Sequence, residues 1–294
     1  GVEVTGNTPI SGTFNDGSTF TVSGVEVTGA TSASGTYNDG STVSVSGVTV
    51  NDDGVSTTYD DGSTVNIFRN DHSVVFNGVN QTLDQTTTDV NFGYSDAFSV
   101  EFWVYPLSLL TVTYVSNWNQ TLIDGWRVRA SGSGSNRGGL LFQILDNGNN
   151  GYTIRTNSSN LITKNAWNHV IVSKPANNVA SNCRIYVNGS SVAFTVYQTG
   201  GTGTPTFFDK LTIGDNSDGS SFAKLDAYLN QCLIYNRDLS AAEATSHYNG
   251  GIAQDRINDS GLIRYFLFEN DLTDELGNQD LTGYNSPTFT RLRP

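Results

Sequence analysis

The chain is poor in positive charge and in long apolar runs, and each shortage argues against a class of partner. Its 294 residues include 15 lysines and arginines against 28 acidic residues, for a formal net charge of −13. This balance argues against binding to nucleic acid or to an anionic membrane through a basic surface. No apolar run approaches the roughly 18 residues of a membrane-spanning helix, so we expect no membrane insertion.

Cysteine is almost absent, with only Cys183 and Cys232 in the chain, and neither belongs to a Cys-x-x-Cys pair. A zinc site built from paired cysteines is therefore not expected. Each cysteine lies in a strand-like run, which predicts two buried thiols. A disulfide between them stays the alternative, because the sequence does not give the distance between their Cα atoms.

Residues for acid–base catalysis are also scarce. A glycoside hydrolase needs two carboxyl groups about 5–9 Å apart, and no two of the six glutamates have a spacing that a strand would bring together. Glu101 has Ser99 and Trp103 at the alternating positions. We therefore expect no enzyme activity.

Histidine is present only three times, and no catalytic constellation can be built from these residues. His169 lies in a strand-like run, which predicts a packed side chain that hydrogen-bonds the backbone. His72 and His247 are expected to stand alone, near a domain junction and near the end of a helix.

The start of the chain consists of a 23-residue unit that occurs three times. The unit begins at Gly1, Gly24 and Gly47, and the first six residues of the first two copies are identical. A second block that contains Asp-Gly-Ser-Thr recurs within the units, at 13–19, 36–42 and 58–64. A repeat with this period is typical of an array. Because the period is in phase at Gly1 and the chain lacks methionine, we expect a fragment or processed product with further copies upstream.

One unit is too small to fold by itself. Its apolar residues alternate with polar ones, and Asp-Gly turns are typical of hairpins. About six apolar side chains contribute about 1.5–3 kcal/mol each, whereas ordering the backbone costs about 1–2 kcal/mol per residue. The sequence therefore predicts that residues 1–68 are three β-hairpin repeats forming a stem that associates as a homotrimer. A solenoid, a dimer and a flexible linker stay the alternatives.

Residues 69–294 lose the period and alternate short strand-like runs with turns. The clearest runs, in chain order, are FSVEFWVYP (98–106), WNHVIV (167–172), RIYVNG (184–189), LTIG (211–214) and IYNRDLSAAE (234–243). This pattern predicts an all-β, antiparallel two-sheet sandwich. Ser240 and Glu243 have the spacing of a capping box, which predicts one short helix that ends near Asn249.

These five runs, in this order, resemble the laminin-G-like, concanavalin A-like jelly-roll domains over about residues 70–290. The resemblance implies a jelly-roll head that binds carbohydrate or protein. Residues 262–270 with 274–278 resemble a motif often found at the start of such domains, so a closing segment at 261–290 is expected to add a strand. Where the family usually carries an acidic pair, this chain has Asn230 and Gln231, which puts a calcium role there in doubt.

Calcium is the one cofactor with candidate ligands. Asp215 and Asp218 offer carboxylate oxygens within one loop, the ligand type that calcium prefers. Asp274 and Asn278 lie in a loop that resembles the family's Asp-x-x-Gly-Asn element, which implies a second calcium site. The alternative for both loops is an Asx turn, in which the side chain binds its own backbone.

A glycan site needs an exposed aromatic ring with amide groups beside it. Trp118 lies in a polar run, and we predict that it is the stacking platform, with Asn117 and Asn119 beside it. Asn149 and Tyr152 belong to a second polar loop on the expected rim. A loop tryptophan folded over a sheet edge is the alternative for Trp118. The other tryptophans lie in strand-like runs and are expected in the core, at 103, 126 and 167.

Together these features predict a receptor-binding fibre protein of a phage or virus, whose lectin-like head binds a glycan or a cell-surface receptor. The expected location is the virion surface. One alternative is a structural virion decoration protein without a ligand. Another is a secreted bacterial adhesin on the cell surface.

Overall fold

The computed structural model describes residues 70–294 and six short strands within residues 1–69. The gaps after residue 70 are Gln120, 132–136, 202–204, Thr206, Phe208 and 216–223. Contacts divide the chain into two compact units, Gly1–Arg69 and Asn70–Pro294.

The first unit contains one two-stranded antiparallel sheet for each sequence repeat. The sheets are β1 (Ile10–Thr13) with β2 (Thr19–Val22), β3 (Ser32–Thr36) with β4 (Thr42–Ser46), and β5 (Ser56–Thr58) with β6 (Thr64–Asn66). Each pair flanks one copy of the Asp-Gly-Ser block. The Asp-Gly turns and the strand expected at residues 1–6 lie outside the described residues. The association of these repeats as a stem stays a prediction.

The regular secondary structure of the second unit is almost entirely β-strand. They are β7 (Ser73–Asn77), β8 (Thr82–Thr86), β9 (Phe98–Pro106), β10 (Thr113–Asn119), β11 (Asp124–Ser131), β12 (Gly139–Leu145), β13 (Gly151–Thr156), β14 (Asn168–Lys174), β15 (Arg184–Val187), β16 (Ser190–Ser191), β17 (Phe194–Gln198), β18 (Lys210–Ile213), β19 (Asp226–Tyr235), β20 (Leu262–Phe266), β21 (Thr282–Tyr284) and β22 (Thr288–Thr290). The helical segments are α1 (Ala241–Tyr248) and two 3₁₀ turns, Ala180–Asn182 and Asn249–Gly251.

These strands form two antiparallel sheets. The β9 sheet has the order β16-β15-β14-β9-β19-β7-β22, with β20 also paired to β19. The β10 sheet has the order β17-β13-β12-β11-β10-β18-β8-β21. The predicted all-β two-sheet sandwich is confirmed. No helix within the described part of the chain is long and apolar enough to span a membrane.

Strand alternation fills the space between the sheets with one continuous core. Phe98 of β9 stacks on Phe92 at 4.4 Å between ring centroids and meets Trp126 of β11 at 5.4 Å. Both cysteines belong to this core as free thiols, and their burial raises the pKa of Cys183 to about 11 and that of Cys232 further. The prediction of two buried thiols is confirmed, and the disulfide alternative is wrong.

The expected helix and closing strand are both present. Ser240 caps α1 by accepting a hydrogen bond from the Glu243 N–H, and the Glu243 carboxylate accepts one from the Ser240 N–H. The helix ends at Asn249, which takes the left-handed conformation at φ 45°. Strand β20 pairs antiparallel with β19, with Cys232 opposite Phe266. Strands β21 and β22 then extend the two sheets at their edges.

Candidate functional site

Strand β9 divides its side chains between the core and the outer face of its sheet, because successive residues of a strand point to opposite faces. Phe98, Val100, Phe102 and Val104 enter the core. The alternate residues of β9 lie on the outer face, at 99, 101, 103 and 105. Helix α1 and residues 249–277 cover part of this face through a second apolar cluster of Ile171, Tyr186, Leu233, Tyr235, Leu239, Ala244 and Tyr265.

Under this cover lies the carboxylate of Glu101, which is 1 % exposed. Its Oε1 is 2.9 Å from Nε2 of His169, and its Oε2 is 2.8 Å from Nδ1 of His247. Burial opposes ionisation, but hydrogen bonds from His169 and His247 outweigh it and hold the pKa of Glu101 well below its usual range. Glu101 is therefore a buried anion held by two imidazoles.

Further contacts lead from His247 to the surface. Nε2 of His247 lies 3.5 Å from Oδ2 of Asp259, and the Tyr235 hydroxyl donates to the same oxygen at 3.1 Å. We call Glu101, His169, His247, Asp259 and Tyr235 the Glu101 cluster. It ties three strands of the β9 sheet to α1 and to the segment before β20. Within the Glu101 cluster only the Asp259 carboxylate is appreciably exposed. The cluster is therefore an internal contact between ionisable side chains.

At the end of the same face three half-buried aromatic side chains form a row across the sheet. Tyr105 of β9 lies between Trp167, at 5.7 Å between ring centroids, and Tyr228 of β19, at 5.6 Å. Pairing continues the row from Tyr228 to Val75 of β7 and from there to Thr288 of β22. We call Trp167, Tyr105 and Tyr228 the aromatic row.

The aromatic row offers apolar ring faces at the surface without a charged group in the row itself. Ring faces of this kind stack on the C–H faces of sugars and on other flat or apolar groups. The Tyr105 ring is tilted by 68° to Trp167 and by 43° to Tyr228. The three rings therefore form a curved contact surface. A single ligand chain or a small chemical group fits such a surface better than the flat face of a solid does.

The prediction that Trp118 is an exposed platform is wrong. Trp118 lies in β10 rather than in a loop, and it is fully buried. The guanidinium of Arg127 on β11 covers its ring at 3.9 Å, and Nε of Arg127 donates to Gln143 of β12 at 2.8 Å. Asn117 is also fully buried, and its amide donates to Asn91 at 2.7 Å. Neither residue is open to a ligand.

The other predicted glycan contacts are divided between core and surface. Tyr152 is buried in the core, where its hydroxyl donates to Asn178. Asn119 and Asn149 lie at the surface and at the same end of the β10 sheet, as the strand register requires. Asn119 accepts a hydrogen bond from the Leu122 N–H, which closes its own loop. The structure therefore does not assemble the predicted set into one binding surface.

In the first predicted calcium loop, the described carboxylate already has a cation beside it. Asp215 is buried, and its carboxylate pairs with the ammonium group of Lys224. A lysine at this position already supplies the positive charge that a calcium ion would bring. Asp218 lies outside the described residues.

The second predicted calcium loop binds its own backbone. Oδ1 of Asp274 accepts from the N–H groups of Tyr265 and Leu276, which is an Asx turn, and Oδ2 lies 3.7 Å from Nε of Arg264. The Asn278 amide donates to the Ile263 carbonyl at 3.3 Å. Across the described residues, no group of three or more His, Cys, Asp or Glu could hold a metal ion. The described residues of the second loop therefore do not fit the predicted calcium site.

Sequence reasoning missed both features of the outer face. His169 was expected to bond the backbone and His247 to stand alone, whereas both bind Glu101. Trp167 was expected in the core, whereas it is half-buried at the start of β14. The alternation of Glu101, Trp103 and Tyr105 along β9 was the available signal, because it places a carboxylate and two aromatic rings on one face.

Comparisons with known proteins agree with this architecture. A family model described as the concanavalin A-like lectin/glucanases superfamily matches residues 78–245, or 168 of the 294 residues. No curated protein sequence matches the chain. A candidate carbohydrate-binding protein from Bacteroides ovatus has a TM-score of 0.55 at 14% identity, over 85% of this chain and 68% of that protein.

A heptameric SAP-like pentraxin from Limulus polyphemus has a TM-score of 0.50 at 14% identity, over 75% of this chain and 94% of that protein. At these identities the two likenesses establish the fold alone. The family match covers more than half of the sequence and most of the sandwich. The chain therefore belongs to the concanavalin A-like lectin/glucanases superfamily.

Proposed function

We propose that this chain is a lectin-like attachment protein whose head binds a glycan or a glycan-bearing receptor at the aromatic row. The observation that carries the proposal is the position of Trp167, Tyr105 and Tyr228, side by side and partly open on the outer face of the β9 sheet. The fold supports this proposal, because the structurally similar protein from Bacteroides ovatus is named for carbohydrate binding.

The charge of the chain favours neutral or cationic saccharides over polyanionic ones. A formal net charge of −13 repels polyanions at long range. Stacking on aromatic rings needs no ion pair, so binding at the aromatic row should tolerate salt. The row has no carboxylate of its own, and we propose that binding there does not require calcium.

A binding role is favoured over a hydrolytic one by the state of Glu101. A glycosidase needs two carboxyl groups open to the substrate, whereas both oxygens of Glu101 are engaged by imidazoles beneath α1. Glu101 is the carboxylate that β9 carries. We therefore propose that the head binds its ligand without chemical turnover.

The sequence repeats suggest the setting in which the head works. We propose that residues 1–68 hold several heads together as a homotrimer, and that the whole is a fibre on the surface of a phage or virus. Linked heads raise apparent affinity by about 10²–10⁴ over a single site. A secreted bacterial adhesin would use the same avidity, whereas a structural virion protein would bind no ligand. Light scattering of the whole chain tests the trimer, and a monomer would refute it.

A glycan array probed with the whole chain, followed by calorimetric titration of the best ligand, tests the site. Trp167→Ala and Tyr105→Ala should each weaken binding by about fivefold or more, since a lost aromatic contact costs about 1 kcal/mol or more. Tyr197→Ala is the matched control, because Tyr197 is 55 % exposed but lies on β17 of the other sheet.

The outcomes separate the alternatives. Loss of binding in both row variants with a normal Tyr197 variant supports the proposal. Full binding by both row variants would show that the glycan site lies outside the aromatic row. No binding of the wild-type chain to any glycan or cell favours the structural role.

A further inference from the structure

In the described part of the chain, the β10 sheet ends in the edge strands β17 and β21, and the β9 sheet ends in β16 and β22. An edge strand presents backbone N–H and C=O groups on its open side, and a strand of another chain can pair with them. Whether an edge is open to such pairing depends on its length, its charge and its proline content.

Three of these edges have features that hinder pairing. Strand β16 has two residues, and β21 and β22 have three each. Pro287 lies between β21 and β22, and Arg291 follows β22 directly. The outer side of β20 is covered by residues 274–278, where the Glu275 N–H donates to the Tyr265 carbonyl at 2.8 Å. These strands therefore offer little open backbone.

Strand β17 differs from the other edges. It has five residues without proline or charge, and the chain carries no charged side chain between Arg184 and Asp209. The formal net charge of −13 opposes contact between two copies of the chain. This repulsion is weakest where both surfaces lack carboxylates. Strand β17 is therefore the edge that a second copy can approach most readily.

The register of β17 on β13 fixes which of its backbone groups face the open side. The Asn157 N–H donates to the Ala193 carbonyl at 3.0 Å, just before β17 begins. Successive residues of an antiparallel strand bond alternately to one side and to the other. Thr195 therefore also bonds to β13, whereas Phe194 and Val196 direct their N–H and C=O groups away from β13.

We propose that β17 pairs with β17 of a second copy of this chain, antiparallel and about a two-fold axis at Thr195. In this register Phe194 of each copy lies opposite Val196 of the other, and each such pair exchanges both of its N–H···O=C bonds. Thr195 lies opposite Thr195 of the second copy, in a pair that is not hydrogen-bonded. The β10 sheets of the two copies then form one continuous sheet.

The side chains of β17 fit this register on both faces. Phe194 and Val196 pack against the core but are only partly buried, so pairing them covers apolar surface at the edge. On the outer face, Tyr197 is 55 % exposed and comes opposite the small side chain of Ala193. The guanidinium of Arg155 already holds the Tyr197 ring, at 4.4 Å from its centroid. Threonine pairs are also favourable across strands.

The contact is separate from the aromatic row, which belongs to the other sheet. Pairing through β17 leaves the row open in both copies and does not depend on ligand binding. Tyr197 stays a valid control for binding at the row, because calorimetry with a soluble glycan reports the affinity of each site by itself.

A cysteine at position 195 tests the contact in the whole chain. The Cα atoms of a directly opposite pair without hydrogen bonds lie about 4.5 Å apart, which is within the range of a disulfide. With oxidised glutathione as the oxidant, Thr195→Cys should therefore form a disulfide-linked dimer on a non-reducing gel. Cys183 and Cys232 are buried and should not compete.

Thr288→Cys is the matched control, because Thr288 is an exposed threonine on the β22 edge. It should give no linked dimer under the same conditions. Absence of the dimer in Thr195→Cys, or equal dimer formation in the two variants, would overturn the proposal. The result does not depend on how the repeats associate, because the disulfide reports the contact itself.

Charges at position 195 test the two-fold symmetry. Like charges directly opposite each other oppose pairing, so light scattering of Thr195→Lys and of Thr195→Glu should give particle masses about twofold or more below wild type. Mixing the two variants should restore the mass, because lysine then lies opposite glutamate. Thr288→Lys should match the wild type. A wild-type mass equal to that of Thr195→Lys, or no recovery on mixing, would refute the pairing. Thr195→Lys leaves the repeats intact, so its mass tests the proposed trimer separately.

Discussion

Replacing Glu101 with glutamine should destabilise the second unit by about 3–5 kcal/mol. The carboxylate accepts two hydrogen bonds, at 2.9 and 2.8 Å, and bonds to charged groups contribute about 1.5–3 kcal/mol each. Glutamine has the same shape but a single acceptor, so it can serve one imidazole and must present N–H groups to the other. It also leaves the N–H group of one imidazole buried without an acceptor, and an unsatisfied buried donor costs about 1–3 kcal/mol more.

Urea unfolding followed by tryptophan fluorescence measures this loss. All four tryptophans lie beyond residue 100, so the signal reports the second unit. With a slope of about 3 kcal/mol per M, the midpoint should fall by about 1 M or more with the slope unchanged. The double variant Glu101→Gln with His247→Asn should lose less than the sum of the single losses, because the two residues share one contact.

Glu243→Gln is the matched control for this experiment. Glu243 sits in the capping box of α1 at the surface, and glutamine can also fill that position. Its cost should stay below about 1 kcal/mol. A Glu101→Gln midpoint that matches the Glu243→Gln midpoint would refute the reasoning about the Glu101 cluster.

Three further results are expected. Folding lowers the pKa of the Glu101 carboxyl, so its contribution to stability is complete above the ordinary pKa of 4.5 and is lost as pH falls below that value. The difference in unfolding free energy between wild type and Glu101→Gln should therefore shrink as pH falls below 4.5. Cys183 and Cys232 should resist a thiol reagent in the folded protein at pH values well below about 11 and react fully in denaturant, whereas fast native labelling would contradict their burial. The melting temperature should be equal in chelator and in millimolar calcium, and a rise with calcium would show a site that the described residues do not form.

Features that depend on neighbouring residues could be predicted from the sequence. The run 98–106 gave the alternation of β9, and the spacing of Ser240 and Glu243 gave the capped start of α1, because caps and alternation act over a few residues. The order of the strand motifs then indicated the sandwich. The end of α1 near Asn249 followed from the same kind of local chemistry.

Exposure of the tryptophans could not be predicted in this way. Trp118 stands in a polar run but is covered by Arg127 from the adjacent strand. Trp167 stands in a strand-like run but is only half-buried, just before β14 begins. Strand pairing decides which side chains lie over each ring, and therefore which ring is covered. The local sequence shows neither the pairing nor those side chains.

The Glu101 cluster is also a product of long-range packing. Glu101 is 68 residues from His169 and 146 residues from His247. The two histidines reach it only because β14 pairs with β9 and α1 folds over both. The calcium prediction for the Asp274 loop was wrong for a related reason. Asp274 has the same sequence surroundings whether it binds a cation or its own backbone, and the backbone contacts decide.

The most direct test of the proposed attachment site is an NMR titration that follows the four tryptophan indole N–H signals. Each tryptophan gives one signal, and the ligand is the glycan that binds best on the array. Binding at the aromatic row should shift the Trp167 signal first and leave those of Trp118 and Trp126, which are buried in the sandwich, in place. A shift of the Trp118 signal with Trp167 unchanged would place the ligand on the β10 sheet and contradict the account.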